Sequence, residues 1–304
     1  MRISQSMLSN NMLRNVSNSY GNLNKYMNQL STGKKITRPS EDPVVAMKGM
    51  SYRSQVSNVE QYRRNIGEVH NWLDNSDDAL HETTQVLHRL NELAVQASNG
   101  TYENTERESI AKEVDQLIEN LAEVGNTKVN NKFIFNGTNT NGTLDPEGNP
   151  MYPITKNDDG TYTVSDNEND VFVEVSAGTR LKVNTNPTAV FSQDLFDDLQ
   201  AFAAALRDED IPDAELSQHI EVIQGHTNQV VNERADIGAR MNRIELIENR
   251  LASQEVTAKD MMSNNEDAEL EEIIINLTTQ EAIHRASLSA GARILQPTLL
   301  DFLR

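Results

Sequence analysis

The sequence predicts a mainly α protein: an elongated helical bundle or coiled-coil rod with a small β unit inserted into it. Three observations predict this class. Apolar residues recur three and four positions apart over long stretches, both ends of the chain carry the same spacing, and a middle segment is rich in turn residues. Only 37% of the 304 residues are hydrophobic and 5% aromatic, which fits an extended shape better than a sphere.

The first element is an N-terminal helix with a regular three-four repeat of apolar residues. Asn and Ser residues lie between them, so the helix alone is expected to be marginal in water. The first 40 residues hold six basic residues and no acid. The residues of the N-terminal assembly helix are predicted to be Leu13, Val16, Tyr20, Leu23, Met27 and Leu30.

Three further helices carry heptad seams that favour packing against one another. The first seam runs from Val59 to Ala97, the second from Ile110 to Val124, and the third from Leu216 to Leu251. The core of this rod is predicted at Ile66, Leu73, Leu80, Leu87, Ile237 and Ile244.

The segment 133–196 interrupts the helical pattern. It is rich in Asn, Gly, Asp, Thr and Pro, and it contains short β-favouring runs at 133–135, 161–164, 171–175 and 181–183. Alternating residues bounded by turn formers predict a small antiparallel β unit.

The C-terminal end is apolar but less regular, and residues 261–304 carry a net charge of −4. Because the N-terminal segment is basic, opposite charges favour pairing of the two ends. A basic amphipathic N-terminus could also bind acidic lipid, but it lacks the aromatic face of an interfacial helix. The C-terminal assembly helix is predicted to use Leu270, Ile274, Leu277, Leu288, Leu295 and Leu299.

The predicted organisation has three parts. Residues 1–50 and 255–304 form the terminal pairing segments, residues 51–132 and 197–254 the helical rod, and residues 133–196 the β insert. We expect roughly residues 1–45 and 258–304 to be disordered in the free chain and to become helical on assembly.

Composition and motifs argue against several classes of function. A net charge of −19 disfavours a general nucleic-acid binder, and no apolar run is long enough to cross a bilayer. There is no cysteine, and because the first residues lack an apolar run and a small-residue cleavage site, we expect no Sec-type signal. His81-Glu82-Thr83-Thr84-Gln85 lacks the second histidine of a zinc-protease helix, and the acidic run 166–170 has Val171 where a calcium loop needs glycine. We therefore expect no catalytic residues, no metal and no cofactor.

Three segments resemble bacterial flagellins. Residues 30–43, LSTGKKITRPSEDP, are similar to the turn that follows the first helix in that family. Residues 92–101, ELAVQASNGT, and the following 105–117 are similar to the segment that closes its long rod helix. The turn residues that carry the resemblance are Gly33, Arg38, Pro39, Asp42 and Pro43.

Within the flagellin family, the turn 38–43, the segment 133–138 and the ending 291–303 resemble the subunits that join hook and filament. The resemblance implies a non-enzymatic flagellar subunit that is exported through the type III apparatus. It implies as partners a hook-side junction protein, flagellin, other copies of the chain in a ring, and an export chaperone at the C-terminal helix.

Three alternatives stay open on the sequence alone. A flagellin-type filament subunit would grow long filaments on seeds. A secreted helical bundle with hydrolase activity would need a ligand cluster in residues 133–196, which contain no His and no Cys. A cytosolic coiled-coil scaffold would be absent from sheared flagella.

Overall fold

The computed structural model describes residues 5–99, 104–144, 150–208 and 211–295. Within them the chain is mainly helical, with short paired strands between the long helices. The helices are α1 (Gln5–Thr32), α2 (Pro43–Ala97), α3 (Asn104–Gly125), α4 (Pro187–Val190), α5 (Gln193–Ala205), α6 (Asp213–Glu266) and α7 (Leu270–Leu295). The described chain divides into two compact units, unit 1 from residues 1–58 with 253–304, and unit 2 from residues 59–252.

In unit 2, α2 and α6 run antiparallel along each other. Three pairs of residues record the register: His70 with Glu248, Asp77 with Arg234, and Asn91 with the carbonyl of Ile220. The helix α2 begins well before the predicted seam, which starts at Val59, because Asp42 and Pro43 start the helix in unit 1.

The core of unit 2 lies where the seams of the long helices meet, and the six predicted rod residues are all within it, each at most 2% exposed. Helices α3 and α5 cover this core, and Asp115 of α3 forms an ion pair with Arg207, two residues after the end of α5. Three phenylalanines are fully buried: Phe191, which follows α4, and Phe196 and Phe202 of α5.

The strands form four separate antiparallel hairpins rather than one continuous sheet. They are β1 (Lys128–Val129) with β2 (Lys132–Phe133), β3 (Thr143–Leu144) with β4 (Pro150–Met151), β5 (Ile154–Lys156) with β6 (Tyr162–Val164), and β7 (Phe172–Ser176) with β8 (Thr179–Lys182). The run 133–135 is β only at Phe133, because Ile134 and Phe135 leave the strand and are buried.

In unit 1 the two terminal helices pair, as the sequence predicts. Helices α1 and α7 run antiparallel, and the turn that follows α1 forms a β-bridge between Lys34 and Asp267 with the turn that precedes α7. The beginning of α2 and the end of α6 complete the unit.

Candidate functional site: the terminal helix pair

The surface by which α1 and α7 contact each other combines half-buried apolar side chains, such as Val16 and Leu23, with small and polar residues. The Nε2 amide of Gln280 donates to Oγ of Ser19 at 3.1 Å, and Ser19 is buried. Near the other end of the pair, a Cβ added at Gly291 would lie 2.5 Å from Cε of Met12. Glycine at this position leaves room for the end of the Met12 side chain against α7.

Four of the six predicted assembly residues of α1 lie outside this contact. Leu13 is 62% exposed and Tyr20 is 67% exposed, and Met27 and Leu30 are also exposed. Val16 and Leu23 are half-buried, because α1 packs through the adjacent stripe that contains them. That stripe comprises Ser9, Met12, Val16, Ser19, Leu23, Tyr26 and Gln29.

Helix α7 shows the same arrangement. Of its predicted assembly residues, Leu270, Ile274 and Leu288 are exposed, while Leu277 is half-buried. Leu295 ends the helix, and Leu299 lies outside the described residues. The sequence reasoning missed Ile275 and Ile283, which are also exposed.

A second group of exposed apolar residues lies where α2 begins and α6 ends. Its members are Val44, Met47 and Met50 on α2, with Val256 and Met261 on α6. The sequence reasoning missed the three residues of α2 because it began the seam of that helix at Val59, and their uniform spacing of three does not continue the three-four steps of the seam.

Exposure of this extent in one unit is unusual for a monomer. Among the described residues, sixteen exposed large apolar side chains lie in unit 1 and six in unit 2. Large exposed apolar patches mark surfaces that bind other molecules. Methionine is over-represented on such surfaces because its side chain adapts to the partner.

The turn between α1 and α2 is formed by the residues that carry the family resemblance. Gly33 ends α1 with φ +67°, and its N–H donates to the carbonyl of Gln29 at 2.8 Å, a helix C-cap that suits glycine. Asp42 caps α2, because its Oδ1 accepts from the N–H of Val44 at 2.9 Å. Pro43 occupies the first helical position, where its missing N–H is not needed.

Inside this turn, Arg38 and Pro39 lie on the surface. The carbonyl of Arg38 accepts from the N–H of Glu41 at 3.0 Å. The carboxylate of Glu41 accepts from the N–H of Thr37 at 2.8 Å, and this hydrogen bond lowers the pKa of Glu41. The turn therefore holds a fixed shape through its own hydrogen bonds.

A buried carboxylate connects this turn to the end of α6. Glu266 is only 6% exposed, and its Oε2 accepts from Nη2 of Arg53 at 2.7 Å. Nζ of Lys34 lies 3.5 Å from the same oxygen and donates to Oδ1 of Asp267 at 2.6 Å. This hydrogen bond raises the pKa of Lys34 and lowers that of Asp267.

Backbone hydrogen bonds support the same contact. The N–H of Lys35 donates to the carbonyl of Glu266 at 2.7 Å, and the N–H of Ala268 donates to the carbonyl of Gly33 at 2.9 Å. The predicted attraction between a basic N-terminal segment and an acidic C-terminal segment is thus realised here. The sequence reasoning did not single out Glu266, whose burial depends on two turns more than 200 residues apart.

The histidines of unit 2 that could be considered as catalytic or metal-binding residues contact other side chains. Nε2 of His81 lies 2.9 Å from the Gln85 amide nitrogen, and Nε2 of His226 lies 2.8 Å from Oδ2 of Asp198.

Unit 2 also contains a groove of about 700 Å³. Trp72, Phe172 and Asp170 are among the residues that line it, and Asp170 forms an ion pair with Lys182. Across the described parts of the chain, no group of three potential ligands could hold a metal ion.

Comparison with known proteins finds two matching family models. The bacterial flagellin N-terminal helical region matches residues 3–140, and the bacterial flagellin C-terminal helical region matches residues 220–303. The two matched ranges include all of α2 and α3, most of α6, and the described part of the terminal pair.

Individual relatives include both filament and junction subunits. The flagellin of Bacillus subtilis is 26% identical over 311 residues, covering 100% of both chains. The flagellar hook-associated protein 3 of Escherichia coli is 23% identical, covering 95% of this chain and 96% of that protein. A putative flagellar hook-associated protein from Vibrio parahaemolyticus shares the fold, with a TM-score of 0.66 and 18% identity over 75% of this chain and all of that chain.

None of the helices within the described ranges combines the length and apolar character that a membrane span requires.

Proposed function

The chain belongs to the bacterial flagellin family, a structural and non-enzymatic family, and on that premise we propose that it is the subunit that joins the flagellar hook to the filament. It would reach the outside of the cell through the type III export apparatus and become part of the extracellular flagellum. The match to the hook-associated protein 3 of Escherichia coli, which covers 95% of this chain, supports this role.

The observation that carries the proposal is the exposed apolar surface of unit 1. Side chains such as Leu13, Tyr20, Ile275 and Leu288 lie on paired helices but outside their contact. Burying them requires other molecules, and in a flagellar subunit these are neighbouring subunits. Apolar burial stabilises by about 25 cal/mol per Å², so a row of such residues supplies a strong drive for docking.

Four partners follow from this role. The exposed surface of unit 1 would dock on the hook-side junction protein at one side and on flagellin at the other, and on copies of the same chain within a ring. An export chaperone would bind α7 before export, because its row of exposed apolar residues needs cover in the cytosol. The absence of cysteine suits passage through a narrow channel, since no disulfide can lock the chain.

We propose further that the terminal segments order on assembly. Each terminal helix alone buries little apolar surface, so pairing without neighbours gains little against the entropy of ordering. Withholding the docking surface until a partner is present would limit premature polymerisation.

The decisive experiment is deletion of the gene, followed by assays of motility and secretion. The expected result is a strain without filaments that releases flagellin into the medium, and restoration of both properties by the wild-type chain. Normal filaments in the deletion strain would contradict the proposed role.

A flagellin-type filament subunit is the second candidate, and the full-length match to the Bacillus subtilis flagellin supports it. Adding purified chain to filament seeds separates the two. A junction subunit adds a limited number of copies, whereas a filament subunit grows long filaments.

A further inference from the structure

We propose that Glu266, together with Lys34, Arg53 and Gly49, forms a latch that fixes both terminal helices in the arrangement needed for docking. This inference rests on the proposed function, and it assigns a positioning role to a buried group that the docking surface itself does not contain. All four latch residues belong to unit 1.

The latch connects three segments through one carboxylate. Glu266 is the last residue of α6, Lys34 follows the end of α1 by two residues, and Arg53 lies in α2. The carboxylate contacts Arg53 at 2.7 Å and Lys34 at 3.5 Å. The turn that follows α1 and the end of α6, which leads into α7, therefore contact each other beside Arg53 of α2.

The carboxylate depends on these two cations. A buried charge is tolerated only when opposite charges and hydrogen bonds compensate for its lost hydration. If Glu266 moves away, Arg53 loses its carboxylate partner, and Lys34 retains Asp267, which is half exposed. The contact with Arg53 is therefore the one that depends most on the position of Glu266, since Lys34 keeps a second carboxylate partner.

Gly49 makes room for the latch. A Cβ added at this position would lie 2.5 Å from Oε1 of Glu266 and 3.3 Å from its Cδ. The end of a glutamate side chain can usually move to relieve such a clash, but here movement would break the contacts with Arg53 and Lys34. Glycine is disfavoured in the interior of a helix, and at this position its small size leaves space for the carboxylate of Glu266.

The latch contains none of the exposed apolar residues of α1 and α7, yet their docking needs the two helices to be held together. Few apolar side chains are fully buried in this unit: among its described residues, only Val56 of α2, Ala258 of α6 and Ile273 of α7 are buried hydrophobic residues. Polar contacts such as the latch therefore contribute much of what holds the unit together.

The test uses Gly49→Ala and Glu266→Gln, with Gly67→Ala as the matched control in the same helix. No atom lies within 4 Å of a Cβ added at Gly67, so alanine there meets no obstacle. Each variant replaces the wild-type chain in the deletion strain, and immunoblots compare its amount in purified flagella and in the medium. Circular dichroism melts of the purified variants report whether unit 2 stays folded.

We expect both latch variants to be exported normally and to melt like wild type, but to be about tenfold or more depleted in flagella, while Gly67→Ala matches wild type. Incorporation of Gly49→Ala and Glu266→Gln within about twofold of wild type would overturn the latch while leaving the proposed function intact. Equal depletion of Gly67→Ala would also overturn it. Absence of the wild-type chain from flagella would contradict the proposed function, and with it the latch.

A rescue experiment adds a second readout. Lys34 and Asp267 form a β-bridge, and the chain has no other thiols, so cysteines at these positions could be linked after export. In a Gly49→Ala background, the oxidised Lys34→Cys, Asp267→Cys variant should recover incorporation and the reduced form should not. Equal incorporation of both forms would count against a positioning role.

Discussion

Unit 2 and unit 1 both contain long helices, but they differ in how far their apolar side chains are exposed. In unit 2 the seam residues from Ile66 to Leu87 on α2, with Ile237 and Ile244 on α6, are almost completely buried. In unit 1 many apolar residues of α1 and α7 are exposed, and the helices meet through half-buried Val16 and Leu23 together with Ser19, Gln280 and Gly291. Helical periodicity looks the same in both units, but it serves internal packing in unit 2, whereas in unit 1 we propose that the exposed residues serve docking.

The difference suggests a division of roles between the two units. Unit 2 has a continuous buried core of its own, whereas we propose that the apolar surface of unit 1 is covered by neighbouring molecules. If this division is correct, substitutions in unit 2 should change the free energy of unfolding, and substitutions on the outer face of unit 1 should change assembly alone.

The largest effect on stability is expected for Leu80→Ala in unit 2. The side chain is fully buried, so its truncation should lower the free energy of unfolding by about 3 kcal/mol through lost burial and a residual cavity. Urea denaturation followed by circular dichroism measures it. Leu246→Ala, at an exposed position of the same unit, is the control and should change stability by less than about 0.5 kcal/mol. Similar changes in the free energy of unfolding for the two variants would contradict the assignment of Leu80 to the core of unit 2.

A smaller effect is expected for Arg234→Ala, which removes an ion pair between α6 and α2. Nε of Arg234 donates to Oδ1 of Asp77 at 2.9 Å and Nη2 donates to Oδ2 at 3.1 Å, a bidentate pair about one-third exposed. We expect a loss of about 1 kcal/mol. A double-mutant cycle with Asp77→Ala isolates the pair, and no coupling between the substitutions would refute its role.

A still smaller effect on the free energy of unfolding is expected from the titration of His219. Burial lowers the pKa of His219 below its ordinary value of 6.5, although Asp198 and Glu215 oppose the shift. The unfolded chain then binds the proton more readily, so His219 reduces stability as pH falls from about 7 through 6.5 and below. His219→Phe, which retains a ring beside Phe202, should flatten this decline in unfolding free energy between pH 7 and 5. An unchanged decline would show that other groups cause it.

The smallest effect on stability is expected on the outer face of unit 1. Leu13→Ser with Tyr20→Ser should change the free energy of unfolding by less than about 0.5 kcal/mol, because both side chains are already exposed. Incorporation into flagella should nevertheless fall sharply. Leu246→Ser provides the matched control in unit 2, and equal incorporation of both variants would remove the distinction between the units.

The sequence predicted the fold class and the pairing of the ends because both follow from patterns that are readable locally. The seam around Leu73 and Leu80 is a periodic signal within one helix, and the charges of the two ends are a matter of composition. The pairing of strands into four hairpins was not predictable, since alternation marks a strand but does not identify its partner.

The contacts of the candidate site were harder to predict from the sequence, because they too depend on which segments meet. On α1 two adjacent stripes are both compatible with helical spacing, and the choice of the one containing Ser19 rather than Tyr20 depends on the surface of α7. The burial of Glu266 likewise depends on Gly49 and Arg53, which lie more than 200 residues away in sequence. Local patterns carry no direct signal for such contacts.

The most direct test of the division between the units is backbone amide exchange on the free chain at micromolar concentration, repeated after incorporation into flagella. We predict fast exchange from Leu13 to Leu30 and from Leu270 to Leu288 in the free chain, slow exchange from Leu73 to Leu87, and protection of the terminal helices only after assembly. Strong protection of Leu13 to Leu30 in the free chain would contradict the account.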